Sequence, residues 1–184
     1  MKNVLIKNSI LFILFLFSTN LFSQSYEELK KDTVNFFSLK VDLNKDKVVD
    51  EVFSSKRYMG DRLFFFINKK KVLETRNFSE DGGFVISRIL PMKKDAVIKI
   101  ETFFPDRGDS GAVYYIDFKN NKWILTKTMY YVNYWDKRAI ECKCWVVQNI
   151  SLEKLADPDI NIKEFPAENE RKKKCVFTLQ SLLF

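Results

Sequence analysis

The chain has 184 residues, with 31 Lys+Arg against 24 Asp+Glu, no histidine and a formal net charge of +7. Without histidine, Ser-His-Asp triads, Cys-His pairs and H-E-x-x-H zinc sites are excluded. Only five glycines occur, in neither a G-x-x-x-x-G-K-S/T nor a G-x-G-x-x-G pattern, so no nucleotide-phosphate loop is present, while 46% apolar and 15% aromatic content excludes a disordered chain.

Lys2 and Lys7 open the chain, residues 10–17 form an unbroken apolar run of eight, and the small Ser23 precedes Gln24. The run is shorter than the roughly 20 residues a membrane-spanning helix needs. Its charged start and small-residue end define a secretory leader. Residues 1–23 are therefore expected to be a signal peptide and residues 24–184 a single β-rich domain, periplasmic or secreted, with no membrane span after cleavage. The first cysteine is Cys142, so no lipid-anchoring cysteine follows the cut. Export argues against a nucleic-acid partner for the basic runs 69–71 and 172–174, which are expected to be solvated turns.

The spacing then predicts a short helix over 25–37, with Ser25 and Glu28 as a capping box. From residue 48 the pattern becomes strands rich in Val, Ile, Phe, Tyr and Thr. These are expected at 48–54, 63–68, 72–76, 84–90, 96–104, 112–118, 123–135 and 139–148. The breaks between them carry turn chemistry, including Asn120-Asn121, where asparagine tolerates positive φ. Short connections favour antiparallel neighbours. The fold class is thus mainly β: an antiparallel β-meander forming a curved sheet, small barrel or sandwich, with a short N-terminal helix. Residues 151–156 suit one or two helical turns, and residues 175–184 a docked strand or an amphipathic helix.

The segment from Asp42 to Glu51 places side-chain oxygens at Asp42, Asn44, Asp46 and Asp50, with the Val48 carbonyl at the position between the last two. Ca²⁺ takes six to eight hard oxygen ligands, and this spacing wraps a loop around one ion. It is not an EF-hand, because Phe53 stands where the bidentate Glu belongs and a strand follows. The segment resembles the calcium loop of FG-GAP and related β-repeat proteins, whose pattern D-x-D/N-x-D-G-x-x-D runs into a strand. Lys47 replaces the usual Gly, in a conformation that Gly takes more easily. The resemblance implies a structural Ca²⁺. It also suggests a likeness to small exported bacterial proteins with such a loop, some of which inhibit peptidoglycan-cleaving effectors, including lysozyme, as immunity proteins.

Three further groups of residues are candidates. Cys142 and Cys144 share one face of a strand-like stretch, and Cys175 can pair with either, leaving one thiol. In the aromatic run 130–135, Tyr131, Asn133 and Trp135 fall on one face and form a candidate contact patch for a protein or a sugar ring. Glu101, Asp106 and Asp109 are the carboxylates nearest to a hydrolytic pair, although nothing in the spacing selects them. The expectation is an exported, non-enzymatic binding protein with one Ca²⁺ and a protein partner, for which the resemblance implies an inhibitor or immunity role. A carbohydrate-binding accessory module and a small carboxylate-dependent hydrolase are the alternatives.

Overall fold

The computed structural model describes residues 24–56, 61–79, 83–105, 110–134, 140–157 and 159–179. The expected leader, Trp135, Asp106 and Asp109 lie outside these residues.

The chain begins with helix α1 (Tyr26–Lys31). The Ser25 side chain accepts from the Glu28 amide, and the Glu28 carboxylate accepts from the Ser25 amide, as the capping-box spacing predicts. The helix is shorter than the expected 25–37. Asp32 takes the Asn35 amide and side chain and makes a turn. Phe36 and Phe37, read from the sequence as helical, instead open strand β1 (Phe36–Val41). A run of alternating apolar residues fits a pleated strand with one buried face better than it fits one helical stripe.

Strands β2 (Asp50–Ser55), β3 (Arg62–Ile67) and β4 (Lys70–Arg76) complete a four-stranded antiparallel sheet with β1, in chain order. Strands β5 (Val85–Pro91), β6 (Ile98–Phe103), β7 (Ser110–Lys119), β8 (Lys122–Tyr134) and β9 (Ile140–Ser151) form the second sheet. A 3₁₀ helix (Leu152–Ala156) and helix α2 (Glu168–Lys174) follow, and strand β10 (Cys175–Leu179) pairs with β9. The order β10-β9-β8-β7-β6-β5 is antiparallel throughout. This is the expected meander, folded as two facing sheets. Asn120 and Asn121 have φ of 51° and 57°, the left-handed pair that a two-residue hairpin turn needs.

The two sheets are held by different apolar clusters. Val52, Leu63, Phe65 and Leu73 of the first sheet meet Ile98, Ile100, Ile116 and Leu125 of the second, with Leu152 and Leu155 of the 3₁₀ helix closing one side. Strand alternation turns Phe53, Phe64 and Phe66 to the opposite face, where Leu29 of α1 and Phe36 cover them. β2 is therefore buried on both faces, which is why its polar residues Asp50, Glu51, Ser54 and Ser55 are also buried. Each meets hydrogen-bonding groups: Glu51 accepts from Tyr26 at 2.6 Å, and Asn77 donates to Ser54 and Ser55. No helix among the described residues is long and apolar enough to cross a membrane.

Candidate metal centre

The loop between β1 and β2 is built by its own side chains. The Asp46 amide donates to Asp42 Oδ1 at 3.1 Å and to Asn44 Oδ1 at 3.2 Å. The Lys47 amide donates to Asp42 Oδ2 at 2.8 Å, and the Val48 amide to Asp46 Oδ1 at 2.7 Å. Asn44 Nδ2 donates to Asp46 Oδ2 at 2.8 Å. Asp and Asn side chains accepting from amides a few residues on hold a tight loop without regular pairing. The loop also needs left-handed backbone, with φ of 64° at Lys45 and 71° at Lys47. The Lys at the usual Gly position thus adopts the conformation anticipated for it.

These turns bring three carboxylates together. One oxygen from each of Asp42, Asp46 and Asp50 lies within 4.8 Å of the others. Asn44 is tied into the same cluster, and Val48 stands on its exposed rim. Asp50 differs from the rest. It is 3% exposed; its Oδ2 accepts from the Leu43 amide at 3.2 Å, and its Oδ1 has no hydrogen-bond partner among the described residues. Among the described residues, the other two buried side-chain oxygens without partners belong to neutral groups, on Gln24 and Ser151. Burial pushes the Asp50 carboxyl above the usual carboxylate range. The Leu43 and Asn68 amides oppose this, and the negative charges of Asp46 and Asp42 add to it. A buried carboxylate beside two further carboxylates is electrostatically unfavourable unless a cation or a proton compensates. The donor set is all hard oxygen, which suits Ca²⁺ and related cations and disfavours soft metals.

The loop is also attached to the second sheet, which the local sequence does not announce. Leu43, the second residue of an acidic loop, is fully buried in the inter-sheet core. Its carbonyl accepts from Trp123 Nε1 at 3.1 Å. Lys45 forms an ion pair at 2.8 Å with the buried Asp117 of β7. Both contacts cross from the first hairpin to the β7–β8 hairpin. The one local signal is an apolar Leu between Asp42 and Asn44 in an otherwise polar loop.

The remaining candidates are distributed elsewhere. Cys144 and Cys175 form a disulfide where β9 meets β10, and Cys142 is a buried free thiol with its sulfur 3.8 Å from Cys144 Sγ. This is one of the two pairings left open by the spacing. Tyr131 and Asn133 are half-buried on the outer face of β8. Gly111 of β7 lies opposite Tyr131, and a Cβ there would collide with the Tyr131 phenol and the Thr102 carbonyl, so the tyrosine packs across the glycine. Glu101 accepts from Arg88 and Lys99, each at 2.6 Å. Burial alone would raise its carboxyl; the two cations outweigh it and hold the group below the usual carboxylate range.

No protein-family model, curated protein or solved structure matches the chain.

Proposed function

We propose that loop 42–50 binds one Ca²⁺ as a structural ion, in an exported, non-enzymatic binding protein. The observation that carries the metal reading is the buried carboxylate of Asp50, which has one oxygen within 4.8 Å of oxygens of Asp42 and Asp46. Asn44 and the Val48 carbonyl complete the oxygen set implied by the FG-GAP-like spacing. A cation held there favours the folded loop, and the folded loop carries Leu43 and Lys45 to the second sheet. The ion's role is therefore to hold one sheet against the other. A disulfide between Cys144 and Cys175 supports the export reading, because such bonds persist in oxidising compartments.

Calorimetric titration of chelator-treated protein tests this reading. Calcium is expected to bind with one-to-one stoichiometry. Magnesium is expected to bind more weakly, because it demands a smaller octahedral shell. Absence of a calcium heat at millimolar concentration, with no shift in the melting curve, would reduce the loop to a turn.

A further inference from the structure

Ten large hydrophobic side chains are exposed among the described residues, and Trp145, Val147, Val176, Phe177 and Leu179, half of them, stand on β9 and β10. The same two strands form one border of the six-stranded sheet, with β10 outermost. An edge strand presents a row of unpaired N–H and C=O groups, and soluble proteins normally blunt it with charge, proline, bulges or a covering segment.

The other three borders carry such devices. β4 bears Lys70, Lys71, Glu74 and Arg76, and the 3₁₀ helix covers it: Thr75 and Arg76 donate to the carbonyls of Leu152 and Leu155. β5 has Arg88, Pro91 and a bulge between Ile86 and Arg88. β1 lies beside β5. By contrast, β10 reads Cys-Val-Phe-Thr-Leu, without charge or proline, and its register against β9 is unbroken. Its first residue is fastened covalently to β9 through Cys144. Among the described residues no strand pairs with the outer side of β10, and the disulfide holds its first residue in place.

Charge identifies the occupant. At this end of the sheet Glu141 and Glu170 are paired with Lys143 and Lys174, and Glu168 at the start of α2 is outnumbered by the basic residues of its last turn. Lys172 and Lys173, in that last turn before β10, have no acidic partner among the described residues. A second copy of this chain would bring like charge to like charge. An anionic lipid surface would leave the backbone groups of the edge unsatisfied, whereas a strand satisfies them.

We propose that β10 receives, by strand addition, an extended segment of an acidic partner protein. Its backbone pairs with β10. Alternate apolar side chains lie on Val176 on one face and on Phe177 and Leu179 on the other. Its carboxylates meet Lys172 and Lys173. This deepens the binding-protein reading above by naming the partner's class, and it does not depend on calcium.

The test uses a synthetic peptide of alternating valine and threonine flanked by glutamates, added to the oxidised protein and followed by amide chemical shifts and hydrogen exchange. The expected result is a dissociation constant of about 100 μM or tighter, with new protection at β10 amides. Val176→Glu, on an exposed side chain, and the double variant Lys172→Glu/Lys173→Glu are each expected to weaken binding about tenfold. Both should keep the wild-type melting temperature, which separates lost docking from lost folding. Equal binding of a lysine-flanked peptide, or peptide binding that leaves β10 amides unchanged, overturns the strand-addition proposal. The second of these leaves the broader binding-protein reading standing. Phosphatidylglycerol vesicles that perturb β10 where the peptide does not would assign the edge to a membrane. A dimer in sedimentation that Val176→Glu dissociates would assign it to a second copy. Either result overturns the proposal.

Discussion

Trp123 Nε1 donates to the main-chain carbonyl of Leu43 at 3.1 Å, joining the acidic loop of the first sheet to a hairpin of the second. The indole also packs edge-on against Phe65, with ring centroids 5.0 Å apart. One aromatic residue therefore touches the loop, the first sheet and the second. Whatever orders the loop has a direct mechanical route to the inter-sheet core, and Trp123 is its natural reporter.

Calcium at a hundredfold excess over its dissociation constant is expected to stabilise the protein by about 2.7 kcal/mol. That corresponds to a rise in melting temperature of roughly 2–8 °C. The Trp123 emission should change in the same titration. Asp50→Ala should abolish the rise, because it removes the buried carboxylate of the cluster. Lys47→Gly should do the opposite. It relieves a left-handed lysine at φ 71°, worth about 1 kcal/mol without metal, and removes a positive charge beside the ion. Paired melting curves with calcium and with chelator check all three.

The Lys45–Asp117 pair sets an acid limit. Burial alone would raise the Asp117 carboxyl. The Lys45 hydrogen bond and charge, with Lys119 and the Phe118 amide, outweigh it and hold the group below the usual carboxylate range. A depressed native pKa means that the unfolded chain binds more protons. The stabilisation is present above the unfolded value of about 3.9 and is lost as pH falls through the native value. Lys45→Met is expected to cost about 1–2 kcal/mol near neutral pH and to move the acid-unfolding midpoint upward. Circular dichroism along an acid titration reads both effects.

Tyr26 sets an alkaline limit. Its hydroxyl donates to the buried Glu51, and that bond, burial and the charges of Glu51 and Glu27 push the phenol up to about 12. Here the native pKa is raised, so the stabilisation is present below the unfolded value of about 10 and is lost as pH rises towards about 12. Burial raises the Tyr115 and Tyr131 phenols as well, so tyrosinate absorbance should show Tyr26 as one residue of a late-titrating group. Tyr26→Phe should reduce this late amplitude by one residue and cost about 1 kcal/mol at neutral pH. An unchanged late amplitude in the variant would assign it to other tyrosines.

Reduction of the disulfide should act first on the edge. Cys144 and Cys175 are 31 residues apart, and chain entropy gives such a closure about 3–4 kcal/mol as an upper figure. Hydrogen exchange in reductant is expected to show β10 losing protection before β7 and β8. Cys142→Ala should leave the native pairing intact, because the buried Cys142 is a free thiol. Non-reducing peptide mapping settles that point.

Local chemistry was enough to read the meander. Alternating apolar residues and Asn or Gly breaks act over two to ten residues, and the eight strands read from the sequence correspond to β2–β9. The Ser25–Glu28 cap and the oxygen spacing of loop 42–50 are equally local, since each depends on neighbours a few residues away. The end of α1 was not legible. Phe36 and Phe37 satisfy a helical stripe or a strand face equally well, and only pairing with β2 at Ser55 and Ser54 decides between them. Spacing left Cys175 two possible partners; the register of β10 against β9 sets it directly opposite Cys144. The Trp123–Leu43 bond and the Lys45–Asp117 pair join segments about 70 to 80 residues apart in sequence and arise from packing one sheet on the other. Asp50 is buried by the pairing and packing of its own sheet, so residue order states which oxygens are available to an ion, and tertiary structure alone decides which carboxylate lies buried.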